Sequence, residues 1–257
     1  MHYGYWDAST KNLQQALWNM NAALASSAAI HASDFVLDAG CGIGGSSIYL
    51  SSKLGCKTHG ITLSKKHAAQ ANAYAQSLKL AEKSSFSEAD FCNTTFPDET
   101  FDVVWALESV CHAADKNAFV REAMRLLKPG GRLVVGDFFQ KANLNAEQKE
   151  MMQLWAESWA VPFFETAENF QIFLEQNGFE NIQIKNINKN ISKSVEILHR
   201  FFVPGLLSNW VMPLFGKRKN KVQRLNVWST RYQYKTFKKE LWDYMIITAE
   251  KPLKSSI

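Results

Sequence analysis

Gly40, Gly42, Gly44 and Gly45 stand close together in VLDAGCGIGGSS, from Val36 to Ser47. An apolar run enters this loop and a helix-like stretch leaves it. Glycines are needed where a backbone turns sharply and a ligand packs directly against it. Asp38 sits at the tip of the run, ahead of the first glycine. A carboxylate there suits a cationic ligand group and opposes a pyrophosphate. Gly40, Gly42 and Gly45 also satisfy G-x-G-x-x-G, so a nicotinamide oxidoreductase competes. That reading expects an acid for the ribose about 20 residues on. The acid is missing, because the next apolar run closes on Gly60-Ile61-Thr62. Nothing later reads as a nicotinamide site. The loop therefore points to S-adenosylmethionine, whose amino-acid end carries an ammonium group beside the cationic sulfonium.

A second group follows the apolar run FDVVWA: Leu107-Glu108-Ser109-Val110-Cys111-His112. Glu108 and His112 are four apart and share a face if a helix starts here. His112 is suited to act as a base near neutral pH. Glu108 is suited to accept a proton, or to offset the positive charge that builds up when an alkene carbon is methylated. The plainer alternatives are a structural contact for Glu108 and a packing role for His112. Methyl transfer from a sulfonium needs alignment and exclusion of water, not a nucleophilic side chain. Glu108, Cys111, His112 and Asp115 match no established metal-ligand spacing, so no metal is expected. Cys111 reads as a packed thiol.

The elements that must position these groups alternate. Phe35–Leu37, Thr58–Thr62, Ser84–Ala89, Phe101–Ala106, Arg132–Phe139, Phe179–Ile187 and Trp242–Ala249 read as strands. Ser46–Leu54, Lys65–Leu78, Lys116–Leu127 and Glu168–Asn177 read as helices, the third stopped by Pro129-Gly130-Gly131. This is the βαβ signature of a parallel sheet. The expected fold is α/β, a Rossmann-like, doubly wound, seven-stranded and mostly parallel sheet. One domain is expected, with a helical N-terminal cap (1–34), a cofactor-binding core (35–140), a substrate-side region (141–190), a helical lid insert (191–240) and a last strand with its tail (241–257).

VLDAGCGIGG followed by GITLS (Gly60 to Ser64) resembles the class I methyltransferases that use S-adenosylmethionine. ADF at Ala89, FPDETFDVVWALESVCHAADK from Phe96 and LKPGGRLVVGDFF from Leu127 extend the resemblance. ALESVCHA is similar to sterol C-methyltransferases. VMPLF near Val211 and YMIITAEKP near the end are similar to tocopherol methyltransferases. The resemblance runs over nearly the whole chain and is more specific for the cofactor than for the acceptor. It implies that Asp38, Gly40, Cys41, Gly42 and Gly44 line the methionine end, with Leu107 beside them. It places Thr62 and Leu63 at the ribose, His67 nearby, Asp90 at the adenine amino group and Phe91 against the ring. Many relatives carry an acid at the Thr62 position; the GITLS subgroup shares the hydroxyl.

Aromatic residues flank these motifs. Tyr5 and Trp6, in HYGYWD with Tyr3, are expected to close over the site, since ring faces attract a sulfonium. Trp155, Trp159 and Phe163, in WAESWAVPFF with Phe164, are expected to wall an apolar acceptor pocket. Ordinary packing competes at each of these positions.

The net charge of +5 is mild, and no nucleic-acid module accompanies it. Lys217, Arg218, Lys219, Lys221 and Arg224 cluster after the apolar stretch FFVPGLLSNWVMPLF. Pro204, Gly205 and Pro213 break any single long helix there. A lid over a lipophilic acceptor is expected, with weak contact to an anionic membrane surface as a second role. The four cysteines form no C-x-x-C pair, and Met1 to Thr10 carry no signal-peptide pattern. A cytoplasmic protein, peripheral to a membrane at most, is the resulting expectation. The acceptor is a small apolar molecule, with carbon methylation of a prenyl-derived, aromatic or sterol-like lipid expected first. Oxygen or nitrogen methylation of a polyketide, alkaloid or other secondary metabolite is the alternative. A relative that binds the cofactor without transferring methyl is a further one.

Overall fold

A computed structural model describes residues 2–211 and 221–254. Pro213, Lys217, Arg218 and Lys219 lie outside the described residues. Seven strands form one sheet: β1 (Phe35–Ala39), β2 (Lys57–Thr62), β3 (Ser84–Glu88), β4 (Phe101–Leu107), β5 (Leu127–Gln140), β6 (Glu180–Asn186) and β7 (Trp242–Glu250). Their spatial order is β3-β2-β1-β4-β5-β7-β6. β3, β2, β1, β4 and β5 run parallel, and β7 runs antiparallel to both its neighbours. The strand order reverses between β1 and β4. Ligands of open α/β sheets bind at the carboxyl ends of the strands at such a reversal.

The central strands are apolar on both faces because both faces are covered. Along β4, Val103, Trp105 and Leu107 enter one core while Val104 and Ala106 enter the other. α4 (Lys116–Leu126) and α6 (Ala167–Gln176) pack on the second face, through Phe119, Val120 and Phe170. α2 (Gly45–Lys53) and α3 (Lys65–Ser77) follow β1 and β2, and the alanines of α3 pack around Phe86.

The first face is covered by the parts outside the alternating pattern. These are α1 (Leu13–Ser27), α5 (Ala146–Ser158), α7 (Asn188–Arg200) and α9 (Lys221–Lys238), with α8 (Phe202–Val211) between the last two. The described residues of the late insert are mainly helical, as expected. The N-terminal region carries the expected helix at Leu13–Ser27, preceded by a non-helical strap, residues 2–12, with a turn at 8–9. The strap is held from several directions: Tyr5 N–H donates to Ala16 O, and Trp6 N–H to Asn190 O, both at 2.8 Å. β5 also begins earlier than expected. Leu127 already pairs with Phe101, and the irregular register before Val103 absorbs Pro129-Gly130-Gly131.

Phe138, on β5, is the hub of the first core. It makes edge contacts with Tyr3, Trp155, Trp159, Trp242 and Tyr244, at ring centroid separations of 4.9 to 5.6 Å. One side chain thus joins the strap, α5, β5 and β7. Phe138→Ala is expected to lower unfolding stability by about 3–5 kcal/mol, read from denaturant melts.

Candidate active site

A cavity of about 1040 Å³ opens at the carboxyl ends of β1 and β4. The glycine loop forms its floor. Gly40 N–H and Cys41 N–H both donate to Ile61 O on β2, at 3.0 and 2.9 Å, which turns the chain tightly. A Cβ on Gly40 would lie 2.4 Å from Ser109 Cβ, so only glycine fits there. Gly42 is the opposite case. It has φ +55°, yet no protein atom lies within 4 Å of where its Cβ would be. Its open face lines the cavity, as a cradle for a ligand requires.

Asp38 also lines the cavity. Its Oδ2 accepts from Ser47 Oγ at 2.6 Å and Ser47 N–H at 3.2 Å, in the first turn of α2. Burial pushes this carboxyl up to about 6, against those two donors. A cationic group beside it would restore the ionised form.

The far wall follows β4. Glu108 has φ +51°, a left-handed conformation rare for a side-chain-bearing residue. Its Oε1 accepts from Tyr3 N–H at 2.7 Å and from Tyr244 O–H at 2.9 Å. Burial pushes its carboxyl up, with the charge of Asp137 adding to that, against the pull of both donors. Asp137 is buried beside it and accepts from Cys111 N–H and Phe138 N–H. Burial pushes Asp137 up as well.

His112 is exposed in the short 3-10 turn Val110–His112, edge-on to Trp159 at 6.0 Å. Glu108 and His112 therefore do not share a helix face, because Glu108 belongs to the strand end. Both still line the cavity.

Thr62, Leu63, His67, Asp90 and Phe91, expected at the cofactor, do not line this cavity and lie at and after the ends of β2 and β3. Thr62 ends β2, and Leu63 after it is 72% exposed, a leucine with one side left to a ligand. Cys41 is half-buried at the turn, and Gly44 caps α2. His67 is exposed in the first turn of α3. Asp90 is exposed after β3, with Oδ1 taking the Cys92 N–H. Phe91 lies edge-on to Phe119 and reaches within 3.6 Å of the Gly40 Cβ position. Leu107 lines the cavity itself.

Of the five aromatic residues expected at the acceptor, Trp159 reaches the cavity wall. Tyr5 is half-buried against the first core. Trp6 turns to α7, where its indole N–H donates to Ser194 Oγ at 2.9 Å under Lys193. Trp155 is fully buried and stacked on Phe164 at 4.3 Å. Phe163 lies under the Lys116 ammonium at 3.7 Å, away from the wall.

Sequence reasoning missed other residues. His2 and Asn21 line the cavity from the strap and α1. Burial lowers the His2 imidazole to about 4, so the ring is neutral. Its Nδ1 meets Tyr3 O at 2.8 Å and its Nε2 meets the Asn21 amide nitrogen at 3.1 Å, which puts the proton on Nδ1. Tyr244 and Asp137 were hidden inside strands. The only signal was a polar group inside an apolar run, which must find a partner.

Residues 37–135 match the family model described as a methyltransferase domain. The chain is 32% identical over 192 residues to 27-O-demethylrifamycin SV methyltransferase of Amycolatopsis mediterranei (strain S699), covering 74% of this chain and 70% of that one. It is 36% identical over 165 residues to the chloroplastic tocopherol O-methyltransferase of Arabidopsis thaliana, covering 61% of this chain but 47% of that one. The crystal structure of the [4+2]-cyclase SpnF matches the fold with a TM-score of 0.78 at 22% identity, over 98% of this chain and 88% of that one. The chain belongs to the class I S-adenosylmethionine-dependent methyltransferases.

The methyltransferase uses S-adenosylmethionine, and the residues present fit it. Gly42 leaves room against bare backbone, and Asp38 offers a carboxyl whose ionisation awaits a cation. The wall of Leu107, Glu108, His112 and Trp159 faces the cavity beyond the loop.

Three outcomes follow for binding of S-adenosylhomocysteine, measured by calorimetry. Gly42→Val abolishes binding, because its side chain fills the cradle and its branched Cβ strains the φ +55° backbone of the loop. In the wild type, binding tightens as pH rises through about 6, as Asp38 ionises, and levels off above. Asp38→Asn weakens binding and removes that pH dependence. The same shift has a stability sign. The folded carboxyl holds its proton above its ordinary 3.8, so this contribution is full at low pH and is lost as pH climbs towards 6.

Proposed function

We propose that this methyltransferase acts on a small, largely apolar molecule bearing a hydroxyl, with a ring or alkene carbon of a prenyl-derived or aromatic lipid as its first acceptor. One observation carries the reading. The cavity that His112 lines also takes apolar and aromatic side chains, Leu107 and Trp159 with Leu17 and Trp18 of α1. Such a lining selects acceptors by burial of hydrocarbon, and a few polar groups orient them.

S-Adenosylmethionine supplies an electrophilic methyl on its sulfonium. The protein aligns the acceptor with it, excludes water and handles one proton. His112 is the exposed imidazole on the wall, placed to take a hydroxyl proton. A phenol that loses its proton becomes nucleophilic at oxygen and at the ring carbons beside it. Glu108 contributes differently. Burial keeps its carboxyl protonated more readily than an ordinary one, and both donors on Oε1 hold it still. It fixes the wall and gives up its proton only when positive charge develops nearby.

Oxygen methylation of a polyketide-like molecule is the second reading. It is favoured by the 32% identity to an enzyme named for 27-O-demethylrifamycin SV.

Labelled-methyl transfer to a panel of prenylated phenols, sterols and aromatic polyketides tests the proposal, with product NMR separating C-methyl from O-methyl. Turnover is expected with phenols carrying a long apolar chain. His112→Ala is expected to keep cofactor binding and to lower kcat by about 10²–10⁴-fold. Turnover confined to polar amines would contradict the proposal.

A further inference from the structure

From Ile197 to Lys239 the chain carries ten Lys and Arg and no Asp or Glu. The remaining nineteen basic and twenty-four acidic residues leave the rest of the protein at −5. Five of these ten lie on α9 and three in the segment before it, whereas α8 carries none.

The same region exposes hydrocarbon. α8 packs on α7 and α9, outside the layer that covers the sheet. Phe202 is buried against α9, with Trp228 edge-on at 5.4 Å and Arg231 over its ring at 5.2 Å. Gly205 brings the two helices together, since a Cβ there would lie 2.9 Å from Val227. The opposite face points outward. Val203 and Leu207, one turn apart, are each 61% exposed, and Phe201 beside them is 60% exposed. Between the helices lies a groove of about 480 Å³, lined by Leu206, Leu207, Leu225 and Trp228 with Arg224. Among the described residues neither Arg200 nor Arg224 has an acidic partner within 4.0 Å. Lys238 and Lys239, further along, do reach Glu196 and Glu147.

We propose that the α8–α9 face docks the protein onto an anionic lipid bilayer surface, with Phe201, Val203 and Leu207 entering the headgroup boundary and Arg200 and Arg224 meeting lipid phosphates. An exposed apolar face framed by unpaired arginines is the pattern of an interfacial helix. Among the described residues no helix is long and apolar enough to cross a membrane, so the contact is peripheral. Charge decides the class of partner. A second copy of this chain would set two strongly basic faces against each other. A nucleic acid would gain nothing from Val203 and Leu207. The proposal stands on this surface alone and does not depend on the acceptor.

Flotation with vesicles tests it, without cofactor or acceptor. Phosphatidylcholine vesicles containing phosphatidylglycerol are compared with phosphatidylcholine alone. The protein is expected to float with the anionic vesicles only and to be released by high salt. Arg224→Gln is expected to weaken binding by about fivefold. The double variant Val203→Glu with Leu207→Glu is expected to weaken it at least about tenfold. Each variant should bind S-adenosylhomocysteine as the wild type does, which shows that the fold is intact. If the double variant fails that control, Arg224→Gln and the salt dependence decide. Absence of flotation, flotation equal on neutral vesicles, or variants that float like the wild type would overturn the proposal. So would light scattering that shows a wild-type dimer which the double variant splits, because a second copy would then cover the face.

Discussion

One buried carboxyl holds the roof of this enzyme to its sheet. Glu108 Oε1 takes a hydrogen bond from Tyr3 near the start of the chain and another from Tyr244 on the last strand. These partners lie 105 and 136 residues away in sequence. A buried carboxyl without partners is strongly unfavourable, so the three groups specify one another. The left-handed backbone at Glu108 aims the side chain inward, and such strain persists only where the surroundings over-determine it. The strap then has one place to lie, against Phe138 and over the mouth of the cleft.

Chemistry and architecture meet at the reversal of strand order. β1 delivers the glycine loop, and β4, its neighbour, delivers Glu108 and the turn bearing His112. Ser109 Oγ donates to Ala39 O at 2.6 Å, so the two strand ends are bonded together directly. β1 thus contributes mainly backbone to the cavity, and β4 with its turn contributes side chains. This division explains how related proteins share a cofactor while their names speak of acceptors as different as a rifamycin and a tocopherol.

The same division governs what the sequence discloses. The loop from Val36 to Ser47 is legible because sharp turns and close ligand approach demand glycine. The strands were legible because apolar runs covered on both faces leave a plain pattern, and the family and cofactor followed from those motifs. The strap at residues 2–12 was not legible, because its bonds go to α1, α7 and Glu108, far away in sequence. Trp155 and Trp159 look alike in sequence, yet one is sealed in the core and the other faces the cavity. Their difference depends on Phe164 and Trp242, brought in by tertiary packing. Tyr244 and Asp137 were passed over for a related reason. Local patterning shows that a strand is buried, but not which distant carboxyl its hydroxyl meets.

The knot at Glu108 is tested most directly by hydrogen–deuterium exchange over residues 2–6, in the wild type and in Glu108→Ala. The account predicts slow exchange of these amides in the wild type. In the variant their protection collapses, while the amides of β4 and β5 stay protected. Fast exchange of the strap in the wild type, or protection that survives loss of the carboxyl, would contradict it.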